Sequence, residues 1–168
     1  LLDYSRVDVF GPAGESITGL SRPLSGGESV QFSSLGTVFE VIPVPGHTSG
    51  HLAYLAANHL FCGDTLFTGG CGRVFEGTPA QMFDSLSRLA ALPDETLIFC
   101  AHEYTESNLR FALAVEPDNQ CLRGRVADVA MSRSGGLATV PSTLAIEKAT
   151  NPFLRCTESA VRAAAKRQ

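Results

Sequence analysis

Three short stretches concentrate the residue types that could do chemistry. Pro45-Gly46-His47-Thr48-Ser49-Gly50-His51 follows a strand-like run ending at Val44. Gly63-Asp64-Thr65-Leu66-Phe67 follows Leu60-Phe61-Cys62, and Ala101-His102-Glu103-Tyr104-Thr105 follows Leu97 to Cys100. Imidazole and carboxylate groups at the ends of neighbouring strands can converge on one point, and that donor mixture suits borderline ions such as zinc. Taken singly, each stretch is ordinary. A histidine after a strand is more often a hydrogen-bonded turn residue, and Asp after Gly usually serves a turn or a cap. The spacing of His47 and His51 imitates the helical histidine pair of zinc proteases. No Glu follows His47, however, and Gly46 and Gly50 disfavour a helix there, so that reading is rejected.

The elements that must position these residues are legible from pattern. Val7 to Phe10 reads as a strand stopped by Gly11-Pro12. Ser29 to Phe32 and Thr37 to Val44 form a hairpin around Ser33-Ser34-Leu35-Gly36, and Leu52 to Ala56 and His59 to Cys62 add two strands. A glycine-rich loop then runs from Gly63 to Gly77. Thr78 and Pro79 open a helix as N-cap and first residue, Phe83, Leu86, Leu89 and Ala90 mark its buried face, and Pro93 ends it. Thr96 to Cys100 is an apolar strand, expected to be buried on both faces. Beyond it the pattern turns helical over Thr105–Val115, Asn119–Arg133, Ser142–Lys148 and Thr157–Arg167. The class is α+β, with a β-rich unit over residues 1–102 and a small helical unit over 103–168.

Composition excludes several functions. The 168 residues carry a net charge of −4 with a pI near 5.5, which argues against a nucleic-acid surface or a polybasic membrane patch. No apolar run approaches the ~20 residues of a membrane span. The five cysteines are odd in number and include no Cys-x-x-Cys pair, so free thiols in a reducing compartment, the cytoplasm, are expected. Leu1-Leu2-Asp3-Tyr4 has no initiator Met and reads as a cut in a longer chain.

In combination the motifs are far more specific. The ordered series Pro45-Gly46-His47-Thr48-x-Gly50-His51, Gly63-Asp64-Thr65-Leu66-Phe67 and His102-Glu103-Tyr104-Thr105 resembles the metallo-β-lactamase superfamily. With the loop Gly69 to Gly77 and the run Asn151-Pro152-Phe153-Leu154-Arg155, it resembles more narrowly the glyoxalase II, or hydroxyacylglutathione hydrolase, family. The resemblance covers essentially the whole chain. It implies the C-terminal half of an αββα sandwich followed by a small all-helical domain that helps to bind glutathione. It also implies two divalent metal ions, zinc first, with iron or manganese compatible with the same donors. His47 would ligate one ion, His102 the other, and Asp64 would bridge both. His51 would take a structural hydrogen-bonding role.

The implied reaction is hydrolysis of S-D-lactoylglutathione to glutathione and D-lactate, the second step of methylglyoxal detoxification. A divalent ion lowers the pKa of water from 15.7 towards about 7, which supplies the hydroxide. Arg73, Tyr104 and Arg162 match substrate-binding positions. Phe75 stands where the family usually has Tyr, and Ala165 stands where it has a second lysine, with Lys166 displaced by one residue. The family's Thr-His-x-His-x-Asp-His motif is absent, so this chain alone is expected to be inactive; separately, the protein is expected to be a monomer. Two rivals stand beside this reading: a persulfide dioxygenase-like enzyme with one iron, and a non-catalytic glutathione-binding module.

Overall fold

The computed structural model describes residues 7–32 and 36–167. The opening Leu1 to Tyr4 and most of the expected turn, Ser33 to Leu35, lie outside the described residues. The strands are β1 (Phe10–Pro12), β2 (Arg22–Leu24), β3 (Ser29–Phe32), β4 (Thr37–Pro43), β5 (Leu52–Ala56), β6 (His59–Gly63), β7 (Leu66–Phe67), β8 (Gly70–Cys71), β9 (Leu97–Cys100) and β10 (Ser142–Thr143). The helices are α1 (Pro79–Ala90), α2 (Thr105–Val115), α3 (Gln120–Ser134), α4 (Leu144–Thr150) and α5 (Ser159–Ala165). One six-stranded sheet, ordered β10-β9-β6-β5-β4-β3, carries the architecture. Its pairs are antiparallel except β6 with β9, which α1 and the β7–β8 hairpin connect as a parallel crossover. Among the described residues no helix is long and apolar enough to cross a membrane.

Period-two alternation splits the side chains of the sheet between two cores. Val44, Ala53, Leu60, Cys62 and Ile98 pack with Met82, Leu86 and Leu89 of α1 and with Leu144 of α4. Val30, Val41 and Leu52 face the other way and meet Leu24, Phe10, Phe32 and Tyr54. Phe61 stacks on Phe99 at 5.2 Å and remains half-exposed. The capping box of α1 is complete, with Thr78 Oγ1 accepting from Gln81 N and Gln81 Oε1 accepting from Thr78 N. A cap contributes about 1 kcal/mol, whereas burying each of Met82, Leu86 and Leu89 contributes about 1.5–3 kcal/mol. Packing therefore holds α1, and the cap decides where it begins.

Several elements differ from the sequence reading. The first strand is Phe10–Pro12 rather than Val7–Phe10, because Val9 is already held by Ser21, whose hydroxyl accepts from Val9 N and whose N–H donates to Val9 O. The buried stripe of α1 is Met82, Ser85, Leu86 and Leu89, and Phe83 is 45% exposed, one helical step off that stripe. Of β9, only Ile98 is fully buried. Ser142 and Thr143 form a strand against Ile98 and Leu97, and Thr143 then caps α4. The last helix is shortened to Ser159–Ala165 by a turn in which Glu158 N donates to Arg155 O.

The helical region is bound to the sheet by more than contiguity. β10 extends the sheet, and the Arg125 guanidinium of α3 is buried against Glu147 and Thr150 of α4 and bonds Ser142 of β10 at 3.0 Å. Glu147 is wholly buried, so removal of its cation leaves an uncompensated charge in the interior. Arg125→Met is expected to lower unfolding stability by about 3–5 kcal/mol, read as a lower urea midpoint with an unchanged slope.

Candidate metal centre

Three loops at one end of the sheet bring the chemistry together. His47 follows β4, Asp64 follows β6, and His102 follows β9. β6 and β9 are parallel neighbours, so their C-terminal ends finish side by side, with Gly63 opposite Cys100. The Asp64 carboxylate stands between the two imidazoles. Its Oδ2 lies 3.7 Å from His47 Nε2, and its Oδ1 lies 3.2 Å from His102 Nε2. His47 Nδ1 is 2.8 Å from the carbonyl of Arg73, which can only accept, so Nδ1 donates there and Nε2 faces Asp64.

The loops are fastened to one another by backbone bonds. Phe75 N and Glu76 N both donate to His47 O, and Gly77 N donates to Gly46 O. Glu76 accepts from the N–H and hydroxyl of Ser49, and these bonds hold its carboxyl below the ordinary range. Burial, then the neighbouring His47, push the His51 imidazole below its ordinary value. The neutral ring accepts from Asp64 N through Nε2 at 3.1 Å and so fixes the backbone that carries the carboxylate. On the His102 side, partial burial works to raise Glu103, but donors from Thr139 and Thr105 outweigh it and hold the carboxyl low.

A cleft of about 620 Å³ opens over these groups, lined by His47, Asp64, His102, Arg73, Phe75 and Tyr104 together with Phe67, Cys71, Gly72, Ser107 and Asn108. The Tyr104 ring stacks on His102 at 4.8 Å, and the Phe75 ring lies 5.0 Å from His47. Arg162 and Lys166 do not line it; Arg162 stands on α5 and Lys166 directly follows that helix. Ser107 and Asn108 escaped the sequence reading. Their signal is positional, since they lie three and four residues beyond Tyr104 and so share its helical face. Burial pushes the Cys71 thiol up to about 12, which leaves it protonated and poorly suited to act as a nucleophile.

The donors fit a shared-carboxylate arrangement. Two ligands of a tetrahedral zinc, each about 2.0–2.2 Å from the ion, stand roughly 3.4 Å apart. The observed 3.2 and 3.7 Å bracket that edge on two different carboxylate oxygens. Among the described residues no group of three or more His, Cys, Asp or Glu donors could by itself hold a metal ion. The three side chains could offer one imidazole and one carboxylate oxygen to each of two positions, part of a shell that wants about four donors.

The sequence from residue 2 to residue 102 matches the model of the metallo-beta-lactamase superfamily. The chain belongs to that superfamily. Residues 103–168 match the model described as the hydroxyacylglutathione hydrolase C-terminus. The hydroxyacylglutathione hydrolase of Dechloromonas aromatica is 65% identical over 156 residues, which are 93% of this chain and 58% of that protein. That of Nitrosomonas eutropha is 52% identical over 161 residues, 96% of this chain and 63% of that protein. The chain therefore spans about three-fifths of the length of these curated relatives. The crystal structure of ETHE1 from Myxococcus xanthus superposes with a TM-score of 0.65 at 27% identity, over 89% of this chain and 52% of that one. The fold is α+β, of the metallo-beta-lactamase type with a helical C-terminal region, and membership in the superfamily implies divalent metal binding.

Gly72 is a strict steric condition of the site. A Cβ built there would lie 1.8 Å from the Asp64 carbonyl oxygen, and backbone cannot swing aside as a side-chain tip can. In the full-length protein, Gly72→Ala is expected to weaken divalent-metal binding by about 10–100-fold in chelator competition, with the far-ultraviolet dichroism unchanged. At Gly14 an added Cβ meets nothing closer than 4.0 Å, so Gly14→Ala should bind the metal normally.

Proposed function

We propose that the whole protein is a thioesterase that hydrolyses S-(2-hydroxyacyl)glutathione, S-D-lactoylglutathione first among them, to glutathione and a 2-hydroxy acid. The observation that carries this reading is the Asp64 carboxylate, split between His47 and His102 at the floor of a cleft that Arg73 and Tyr104 line. The names of the relatives at 65% and 52% identity support it. His47 and His102 would each hold one of two divalent ions, zinc by preference, with Asp64 bridging them and further donors coming from sequence outside this chain. When bound, such ions supply hydroxide at neutral pH and polarise the acyl carbonyl.

The remaining chemistry belongs to the side chains around the cleft. Glutathione carries carboxylates, and the guanidinium of Arg73 offers a planar fork that matches one of them. The Tyr104 hydroxyl adds a donor beside His102, and its ring restricts that imidazole to one plane. Phe75 and Phe67 give the cleft apolar wall surface beside the two imidazoles. Phe75 gives up the hydroxyl a tyrosine would provide, so binding leans further on Arg73. Arg162 and Lys166 do not line the cleft, and we assign them to the glutathione end of the substrate. The working compartment that we propose is the cytoplasm, in keeping with five free cysteines.

In the full-length enzyme, Asp64→Ala should abolish release of free thiol from S-D-lactoylglutathione; normal turnover in that variant would exclude the bridging role. Arg73→Ala should raise KM strongly while kcat stays within a few-fold, because it removes ground-state binding. Arg162→Ala should show the same pattern with a smaller rise. A collapse of kcat at constant KM in either variant would contradict an anchoring role.

A further inference from the structure

Glu147 and Asn151 are wholly buried, and both turn away from ordinary helix duties. They are four residues apart at the end of α4, so their side chains share one face. Glu147 Oε1 accepts from Arg125, while Oε2 accepts from Gly69 N at 2.9 Å and from Asn151 Nδ2 at 3.0 Å. Asn151 Nδ2 shares its two hydrogens among that oxygen, Gly70 O at 2.9 Å and Phe67 O at 3.2 Å, and Asn151 Oδ1 accepts from Phe153 N. The turn joining β7 to β8 thus has three of its backbone groups satisfied by two side chains from the helical region. A hairpin with two residues in each strand has little of its own to hold that turn.

This hairpin begins two residues after Asp64 and ends two residues before Arg73. Gly72 N donates to Thr65 O at its open end, and the Arg73 carbonyl just beyond orients His47 through Nδ1. A shift of the turn therefore carries the Asp64 backbone and the His47 ring with it. We infer that Glu147 and Asn151 are positioning residues for the metal centre, holding Asp64 and His47 in register through the 67–70 turn. The inference rests on reading Asp64 and His47 as metal ligands.

The test is zinc affinity of the full-length enzyme, measured by competition with a chromophoric chelator, beside the melting temperature and steady-state kinetics. Asn151→Ala removes the amide that spans the turn and should weaken zinc by about 10–100-fold, as loss of a partner that orients ligands does. Val30→Ala is the control. Val30 is buried in the core on the other face of the sheet with Leu24, Val41 and Leu52, so it should lower the melting temperature and leave zinc affinity unchanged. If Asn151→Ala does not fold, Asn151→Ser tests the same contacts, because it leaves a smaller cavity, keeps the buried Arg125–Glu147 pair and still removes the amide that reaches Phe67 and Gly70. Wild-type zinc affinity in the folded variant, or an equal zinc loss in Val30→Ala at equal thermal loss, overturns the inference. Should the wild-type enzyme release no thiol from glutathione thioesters while Asn151→Ala still loses zinc, the positioning role stands and the proposed substrate falls.

Discussion

The Asp64 carboxylate presents one oxygen to each of two imidazoles, and much of the surrounding structure depends on that arrangement. A carboxylate so placed cannot rely on its own side-chain torsions, because a rotation that suits one imidazole spoils the other. Its backbone has to be immobile. The structure meets this with the neutral His51 ring accepting from Asp64 N, and with Gly72 packed so closely against the Asp64 carbonyl that no Cβ fits. The His47 ring is held by a main-chain carbonyl on its far nitrogen, which turns the near nitrogen towards Asp64.

The buried polar seam between sheet and helices follows from the same requirement. Leu144 already joins α4 to the sheet by apolar packing, at less desolvation cost than the buried Arg125–Glu147 pair. Apolar contact is non-directional, however, and cannot fix the position of a peptide unit. Hydrogen bonds from Glu147 and Asn151 to named backbone atoms of the 67–70 turn can do so. The C-terminal region is thus both a neighbour of the cleft, through Tyr104, Ser107 and Asn108, and a brace for the loop beneath it.

Local chemistry explains which parts were readable in advance. Thr78 with Pro79 announced a helix start that the structure places at the same residue, because a cap is decided within four residues. The face of α1 was misread at Phe83, because Met82 and Ser85 compete for the same contact surface and the sheet decides which stripe turns inward. Ser142-Thr143 read as helix and formed a strand, since a free edge at β9 outweighs the weak helical preference of Ser and Thr.

His47, Asp64 and His102 were found as candidates from their places after strand-like runs, and the order of their motifs carried the family. That much is a property of the chain, because each motif is a contiguous run whose residue types are limited by turn geometry and donor chemistry. Their convergence was settled by the sheet, in which β6 and β9 lie side by side and so end together. The distinction between Arg73 and Arg162 also needed tertiary structure, for of two basic residues matched equally well by motif only Arg73 lines the cleft. So did the bonds from Glu147 and Asn151 to a turn about eighty residues earlier. Contacts over that distance depend on how whole elements pack, and no local pattern of residues encodes them.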